Sequence, residues 1–395
     1  MFSSARYTRR LTFAGAAALL TASLAACGGN SLSDDSSEES DTVKIGLVVP
    51  ASGVYEPLGV DMTNGFQLYL DEHDGQLGGK DVEVVKADEG EGPDTGVPAV
   101  NKVITQDKVS AVVGIVNSAT ALGVKDQATQ SKVPLIIANA GANDVTDGSE
   151  YVWRTSFSNG AIGASLGEEV AAEVGDGSVY VMAADYAAGE EFAAGFTEAF
   201  EGAGGTIAGE SFTPFGTTSD WQPFLTKAEN SGAAAVFAFY AGAEAVNFVK
   251  QYDSFGLSGK MPLYGPGFLT EGGVLAAQGA SAEGVRTSLH YSNLLESEEN
   301  AAFVEAYTAA YDSAPTVYSV QAYDAAQALD LALEDADGVS GEAIAAALDG
   351  VGEIASPRGA WSFDDTHSPD QPYFLREVQA TDDGFGNAVI DQLVE

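Results

Sequence analysis

The stretch VKIGLVVP, residues 43–50, opens the repeating pattern that decides the fold. It is a short apolar run rich in β-branched residues, and an amphipathic segment over residues 61–73 follows it. The same alternation recurs at 82–88 and 94–108, at 111–116 and 120–131, and again at 135–140. Buried strands separated by helix-length segments indicate a parallel sheet that is covered by helices on both faces.

The pattern restarts after residues 151–155 and predicts a second unit of similar size. Strand-like runs now alternate with helical segments at 161–174, 178–184, 189–202, 207–212, 220–231, 234–240, 243–255 and 261–265. The remainder must complete both units, with strand-like runs at 284–291 and 373–379 and helices near 299–312 and 317–334. Ligands of open α/β sheets bind beyond the carboxyl ends of the strands. We therefore predict a site in the cleft between two lobes that close about a hinge.

The first residues are typical of a secretion signal. Arg6, Arg9 and Arg10 precede an apolar run of about 15 residues, fewer than the roughly 20 that a membrane span needs. The sequence that ends at Cys27, Leu-Ala-Ala-Cys, resembles a bacterial lipobox, and Cys27 is the sole cysteine of the chain. This predicts a signal peptide over 1–26 and a lipidated, flexible, Ser/Asp/Glu-rich tether over 27–42. The arginine pair leaves Sec and twin-arginine export both open.

The charge balance argues against anionic partners. The chain has 58 acidic and 17 basic residues and a net charge of −41. Such a surface repels nucleic acid and anionic lipid at long range. The acidity names no small-molecule ligand. With Cys27 assigned to lipid, no cysteine is left for a disulfide, so the fold must rest on its hydrophobic core.

The order and spacing of several short motifs resemble one known family. They are Lys44-Ile45-Gly46-Leu47 with Ser52-Gly53-Val54-Tyr55, Asn117-Ser118-Ala119-Thr120 after residues 109–114, Val133-Pro134-Leu135-Ile136, Trp153-Arg154-Thr155, Asp185-Tyr186, and Gly242-Ala243-Glu244 before Phe248-Val249-Lys250-Gln251. Together they resemble the leucine/isoleucine/valine-binding family of ABC-importer solute receptors, over nearly all of residues 43–379. The resemblance implies a type I periplasmic-binding-protein fold, an α/β architecture of two doubly wound parallel-sheet lobes joined by a hinge. One lobe is then expected over 43–157 and 289–354, and the other over 158–288 and 355–395.

The resemblance also implies the biological setting. Members bind a small solute outside the cytoplasm and pass it to ABC permease subunits, so we expect a monomeric lipoprotein that is anchored through Cys27 to the outer face of the cell membrane. A ligand-sensing lipoprotein that is not coupled to transport is the alternative with the same cleft.

Nine residues are expected to bind the ligand, most of them because they match family positions. Asn117 and Ser118 stand between a strand and a helix, where free backbone N–H groups attract a carboxylate; a plain helix cap is the alternative. Tyr55 and Tyr186 match residues that cover the ligand from either lobe. The set is completed by Tyr240 and Phe268, near expected strand ends, and by a small-residue turn that offers backbone groups, Ala140, Gly141 and Ala142.

One departure from the family bears on the substrate. The family binds the amino group of its amino acids with the acid of a Gly-Pro-Glu stretch, whereas this chain has Gly265-Pro266-Gly267. Glu271, four residues on, is a possible substitute, and Phe239 and Phe268 make the expected cleft more aromatic. A branched-chain or other hydrophobic amino acid is the first interpretation. An aromatic or other hydrophobic carboxylate is the alternative.

The chain lacks the usual sequence marks of an enzyme. His73, His290 and His367 stand in unrelated contexts, and no Gly-x-Ser-x-Gly elbow, His-Glu-x-x-His motif or Walker loop occurs. The many adjacent acids are expected in a chain with 58 of them. We therefore expect a protein that is not an enzyme, with no catalytic residues, no metal site and no cofactor.

Overall fold

The computed structural model describes residues 42–382 and 384–393. The predicted signal peptide, the lipidation site Cys27 and nearly all of the predicted tether lie outside the described residues. Within them, two parallel-rich sheets follow one another along the chain.

The first sheet is built from the stretch that opens the pattern. Its strands are β1 (Val43–Val49), β2 (Gln76–Leu77), β3 (Lys80–Asp88), β4 (Ala111–Gly114), β5 (Leu135–Ile137) and β6 (Val152–Arg154). They lie in the order β2-β3-β1-β4-β5-β6, and all neighbours are parallel except the short β2. Six of the seven residues of β1 are buried, as expected for a central strand that is covered on both faces.

The second sheet contains seven strands. These are β7 (Ser178–Asp185), β8 (Thr206–Pro214), β9 (Ala235–Phe239), β10 (Leu263–Pro266), β11 (Arg286–Leu289), β14 (Tyr373–Thr381) and β15 (Gly384–Leu393). The two strands between β11 and β14 along the chain, β12 (Ser362–Phe363) and β13 (Pro369–Asp370), form a separate small ribbon. The order of the seven-stranded sheet is β15-β14-β11-β10-β9-β7-β8. β14 pairs antiparallel with both β11 and β15. The sequence predicted β14 and did not predict β15.

Helices cover both sheets. The chain forms α1 (Glu56–Glu72), α2 (Pro93–Lys102), α3 (Ser118–Ser131), α4 (Asn159–Ser165), α5 (Gly167–Val174), α6 (Ala187–Gly202), α7 (Gln222–Ser231), α8 (Gly242–Ser254), α9 (Gly273–Gln278), α10 (Glu298–Tyr311), α11 (Val317–Asp335) and α12 (Gly341–Leu348). α11 packs closely on α1. A Cβ at Gly65 would lie 2.0 Å from the carbonyl oxygen of Ser319, so this close helix contact requires glycine.

The fold class predicted from the sequence is confirmed: the protein is α/β, with parallel sheets in two lobes. The residue boundaries of the lobes stay a prediction. The segment around His367, which the predicted boundaries give to the second lobe, lies against the first sheet: the His367 ring stacks on Trp153 with centroids 4.6 Å apart. No helix in the described ranges is long and apolar enough to cross a bilayer.

Candidate ligand-binding site

A cavity of about 160 Å³ lies at the carboxyl ends of the parallel strands of both lobes. Residues that follow β4, β5 and β6 line it from one lobe, and residues that follow β7, β9 and β10 line it from the other. Its lining consists of Tyr55, Leu58, Val116, Asn117, Ser118, Ala119, Asn139, Gly141, Phe157, Asn159, Tyr186, Ala187, Ala188, Phe192, Phe239, Ala241, Phe268 and Tyr318. An engineered apolar cavity of about 150 Å³ holds benzene, so this space suits a ligand of about that size.

Six of the nine sequence-predicted site residues meet at this cavity. They are Tyr55, Asn117, Ser118, Gly141, Tyr186 and Phe268. Tyr55 and Asn117 come from the lobe that contains the first sheet, and Tyr186 and Phe268 from the lobe that contains the second. Whether they contact the ligand stays a prediction.

The other three predicted residues lie outside the cavity lining. Ala140 and Ala142 are buried in the core of the first lobe, where the Ala140 N–H donates to the Ile115 carbonyl and the Ala142 carbonyl accepts from Arg154. Tyr240 is buried in the core of the second lobe, and its hydroxyl accepts a hydrogen bond from Thr213 Oγ1. Tyr240 follows Phe239 directly, and successive side chains at a strand end point to opposite faces, so only Phe239 reaches the cavity.

Several lining residues were not predicted from the sequence. Phe157 and Asn159 follow β6, and Asn139 follows β5, so the rule that ligands bind beyond strand ends could have found them. Tyr318 gave no such signal. It stands in the first turn of α11 and reaches the cavity only because α11 packs across the first lobe.

Aromatic rings form the apolar wall. Phe157 and Phe268 have ring centroids 4.8 Å apart, Phe192 and Phe239 stack at 4.2 Å, and Tyr186 lies 6.1 Å from Phe239. With Tyr318 against Phe268, these rings surround the space from both lobes. Such a wall favours a flat, apolar ligand body, because offset and tilted ring pairs contribute about 0.5–1.5 kcal/mol beyond area burial.

Backbone N–H groups supply the positive side of the cavity. Asn117 caps α3 by accepting from the Thr120 N–H, 3.0 Å away, while the N–H groups of Ser118 and Ala119 have no partner within residues 42–382 and 384–393. α6 likewise begins at the cavity, with Ala187 and Ala188. Helix N-termini with free N–H groups attract carboxylates. No Lys or Arg is among the described residues that line the cavity.

A buried acid holds the main chain beneath this helix start. Glu89 is fully buried, and its two carboxylate oxygens accept from the N–H groups of Val116 and Asn117 at 2.7 and 2.9 Å. Burial raises the pKa of Glu89 to about 7. Burial and then Glu89 also raise the pKa of Tyr55, so this phenol stays neutral at the cavity.

The structure corrects the hypothesis that Glu271 replaces the missing family acid. Glu271 does not line the cavity: one carboxylate oxygen accepts from the Val317 N–H and the other from Arg376 Nη1, both at 2.9 Å. Arg376 also donates to the Gly267 carbonyl, and a Cβ at Gly267 would lie 2.4 Å from Arg376 Nη2. Position 267 therefore has no room for an acidic side chain, and the nearby acid is already paired.

The three histidines have different surroundings, and none of them lines the cavity. His73 stacks on Tyr69 and its Nδ1 lies 2.7 Å from the Tyr69 carbonyl, while His290 is fully buried beside Gln321. Within the described ranges no three His, Cys, Asp or Glu side chains are grouped so as to hold a metal ion.

Comparison with known proteins places the chain among binding proteins. Residues 42–384 match the model of the family described as periplasmic binding protein. The Leu/Ile/Val-binding protein homolog 6 of Brucella melitensis biotype 1 is 32% identical over 351 residues, which are 87% of this chain and 89% of that protein.

Two solved structures show the range of ligands among similar proteins. The ABC transporter solute-binding protein of R. palustris, in complex with benzoate, is 34% identical and aligns with a TM-score of 0.81 over 89% of this chain and 96% of its own. The branched-chain amino acid transporter substrate-binding protein LivJ of Streptococcus pneumoniae, in complex with isoleucine, is 25% identical, with a TM-score of 0.78 over 89% of this chain and 99% of its own.

Proposed function

The chain belongs to the periplasmic binding protein family, and we propose that it binds an aromatic carboxylate in the cavity between its two lobes. It is a solute-binding protein of the ABC-transporter type, from a family that is extracytoplasmic. The observation that carries the ligand class is the combination of an aromatic wall with a blocked position 267. The ring of the ligand would pack between Phe157, Phe239 and Phe268, and its carboxylate would accept from the N–H groups of Ser118 and Ala119.

The absence of an acid from this cavity lining carries the choice between ligand classes. An α-amino acid brings an ammonium group into the closed cleft, and losing a hydrogen bond to a charged group costs about 1.5–3 kcal/mol. Glu271 is engaged by Arg376 and Val317, and none of the described lining residues is an Asp or Glu. An aromatic carboxylate needs no such partner.

An amino acid is the second candidate ligand. The similarity to the Leu/Ile/Val-binding homolog and to the isoleucine complex of LivJ supports it. In that case the ammonium would be met without an acid, by the ring faces of Tyr55 or Tyr186 or by the amide oxygens of Asn139 and Asn159.

A thermal-shift screen tests the proposal. The protein is stripped of any host ligand by unfolding and refolding, then screened against aromatic acids and hydrophobic amino acids. A ligand at a hundredfold excess over its Kd adds about 2.7 kcal/mol of stability. We expect benzoate and related aromatic acids to raise the Tm and leucine to leave it unchanged. The reverse pattern would replace the proposed ligand by an amino acid.

Lipid anchoring and delivery to an importer complete the proposal. The protein would act as a monomer that is held on the outer face of the cell membrane by lipid at Cys27, would hand its solute unchanged to ABC permease subunits and would catalyse no reaction. The variant Cys27→Ala should release a folded protein from the membrane fraction into the soluble fraction or the medium. A cleaved variant that stayed with the membrane would exclude the lipoprotein assignment.

A further inference from the structure

Asn159 presents a fixed hydrogen-bond acceptor to the cavity. Its side-chain Nδ2 donates to Glu191 Oε2 at 2.7 Å, and its backbone N–H donates to the Gly141 carbonyl at 2.8 Å. The side-chain Oδ1 has no partner within the described ranges, and the residue is 2% exposed. A carboxylate only accepts hydrogen bonds, so Glu191 holds the amide nitrogen and leaves the oxygen free.

The space for this oxygen depends on glycine. A Cβ at Gly141 would lie 2.2 Å from Asn159 Oδ1 and 2.3 Å from the Phe157 ring. Asn159 therefore sits directly over the Gly141 backbone, beside the ring that forms part of the apolar wall.

Asn139 presents a second acceptor through a longer relay. Its Nδ2 donates to Gln321 Oε1 at 2.9 Å, and Gln321 Nε2 lies 3.0 Å from His290 Nε2. Burial, with the charges of Arg358 and Arg376, lowers the pKa of His290, so the ring is neutral. Because Gln321 Oε1 accepts from Asn139, the Gln321 Nε2 that faces His290 can only donate, and His290 Nε2 accepts. This order of donors leaves Asn139 Oδ1 without a partner among the described residues, in a residue that is 6% exposed and lines the cavity.

We infer, on the premise of the proposed aromatic carboxylate, that Asn139 and Asn159 select a ligand whose ring carries a hydrogen-bond donor, a hydroxyl group above all. A ligand that covers these two amide oxygens without offering a donor costs free energy, because each oxygen then loses its hydrogen bonds to water. Benzoate has no ring donor and would leave both oxygens unpaired. Glu191 and Gln321 are positioning residues, since each holds an amide nitrogen and so decides which atom of the amide faces the ligand.

Small ring substituents that differ in their ability to donate a hydrogen bond distinguish selection by the two asparagines from selection by ligand shape. Calorimetry would compare benzoate and the 3- and 4-substituted fluoro-, hydroxy- and aminobenzoates on protein stripped of ligand. Hydroxyl and amino groups donate, whereas hydrogen and fluorine do not. At one ring position or both, we expect the hydroxy and amino acids to bind at least about tenfold tighter than benzoate and the fluoro acid.

The positioning residues are tested by the ratio of donor to non-donor affinity, which a purely structural loss would not change. Glu191→Ala frees the Asn159 amide to rotate and should lower the ratio by about threefold or more, while Glu191→Gln keeps an accepting oxygen and should preserve it. Gln321→Leu should lower the ratio through Asn139 in the same way. Each variant is compared at a temperature where it is folded, as judged by circular dichroism.

The outcomes separate this inference from the proposed function. Tight binding of benzoate with no gain from a hydroxyl or amino group would overturn the role of Asn139 and Asn159 and leave the aromatic carboxylate in place. An unchanged ratio in Glu191→Ala and Gln321→Leu would overturn the positioning roles. Binding of leucine or phenylalanine with no binding of any benzoate would overturn the proposed function, and this inference with it.

Discussion

Helices α3 and α11 both begin at the cavity, and a comparison of their first residues shows what makes one of them available to a ligand. At α11 the N–H of the first residue, Val317, donates to the carboxylate of Glu271, whose other oxygen pairs with Arg376. At α3 the N–H of the first residue, Ser118, has no partner within the described ranges. The protein's own carboxylate thus occupies at α11 the place that we propose for the ligand carboxylate at α3.

The difference lies in the side chains around each helix start and not in the helix itself. Both helices have a polar N-cap residue that is hydrogen-bonded to the first turn: the Asn117 side chain accepts from the Thr120 N–H at α3, and the Thr316 N–H donates to the Ser319 hydroxyl at α11. At α11, Arg376 holds Glu271 against the N–H of the first helical residue, whereas at α3 the buried Glu89 accepts from the residues before the helix and leaves the Ser118 N–H free within the described ranges. Free helix ends attract anions, so the open end is the one available to a ligand.

The largest effect is expected on stability, from removing the arginine that pairs with Glu271 at the start of α11. Arg376→Met leaves Glu271 buried without its partner, and breaking a buried ion pair in this way costs about 3–5 kcal/mol of unfolding free energy. Chemical denaturation measures it. The matched control is Lys260→Met, which breaks the exposed pair with Glu229 and should cost less than about 1 kcal/mol. Equal losses in the two variants would contradict the structural role of the Arg376 pair.

The next largest effect is expected on ligand affinity, from removing the backbone N–H donor at the start of α3. Proline is tolerated at the first helical residue, so Ser118→Pro removes an N–H while keeping the helix. We expect the Kd for benzoate to rise about 10- to 100-fold, as for loss of a hydrogen bond to a charged group, with Ser118→Ala losing less.

The matched variant at the other helix is Val317→Pro, which removes the N–H that Glu271 holds. It should lower the stability and leave the Kd of the folded protein unchanged. If Ser118→Pro bound benzoate as tightly as the unsubstituted protein, the carboxylate would not lie at α3.

These contrasts also show where sequence-based prediction ends. Residues 117–118 and Gly141 could be named because they match family positions in short local motifs, and Phe268 because it follows an expected strand. Glu271 could not be understood in the same way. Its partner, Arg376, is 105 positions away in β14, and only the pairing of β14 with β11 brings the two together. Tyr318 lines the cavity because of helix packing, which the sequence did not predict. Tyr240 was predicted to line it, but the alternation of side chains along the strand places it in the core.

The smallest effect is the pH dependence of stability and of carboxylate affinity that Glu89 causes at the start of α3. The folded protein holds this proton more tightly than the unfolded chain, because burial raises the pKa from 4.5 to about 7. The contribution of Glu89 to stability is therefore present at low pH and is lost as pH rises through the interval to about 7. Above that, its negative charge opposes a carboxylate at Ser118, by an amount on the order of 1 kcal/mol.

Titration calorimetry at pH 6 and pH 8 measures this effect. Benzoate is ionised at both values, and we expect it to bind a few-fold tighter at pH 6. Glu89→Gln cannot ionise and should remove the difference. A pH dependence of the same size in Glu89→Gln would assign the effect to another group.

The cavity would receive a carboxylate and an aromatic ring, and none of its described lining residues is an acid that could pair with an ammonium group. Calorimetry on ligand-free protein tests it most directly, with each amino acid compared with its deaminated analogue: phenylalanine with 3-phenylpropionate, and leucine with 4-methylpentanoate. We expect the deaminated acids to bind tighter, by about tenfold or more, and Glu271→Gln to leave this preference unchanged in protein that remains folded. Tighter binding of the amino acids, lost in Glu271→Gln, would contradict it.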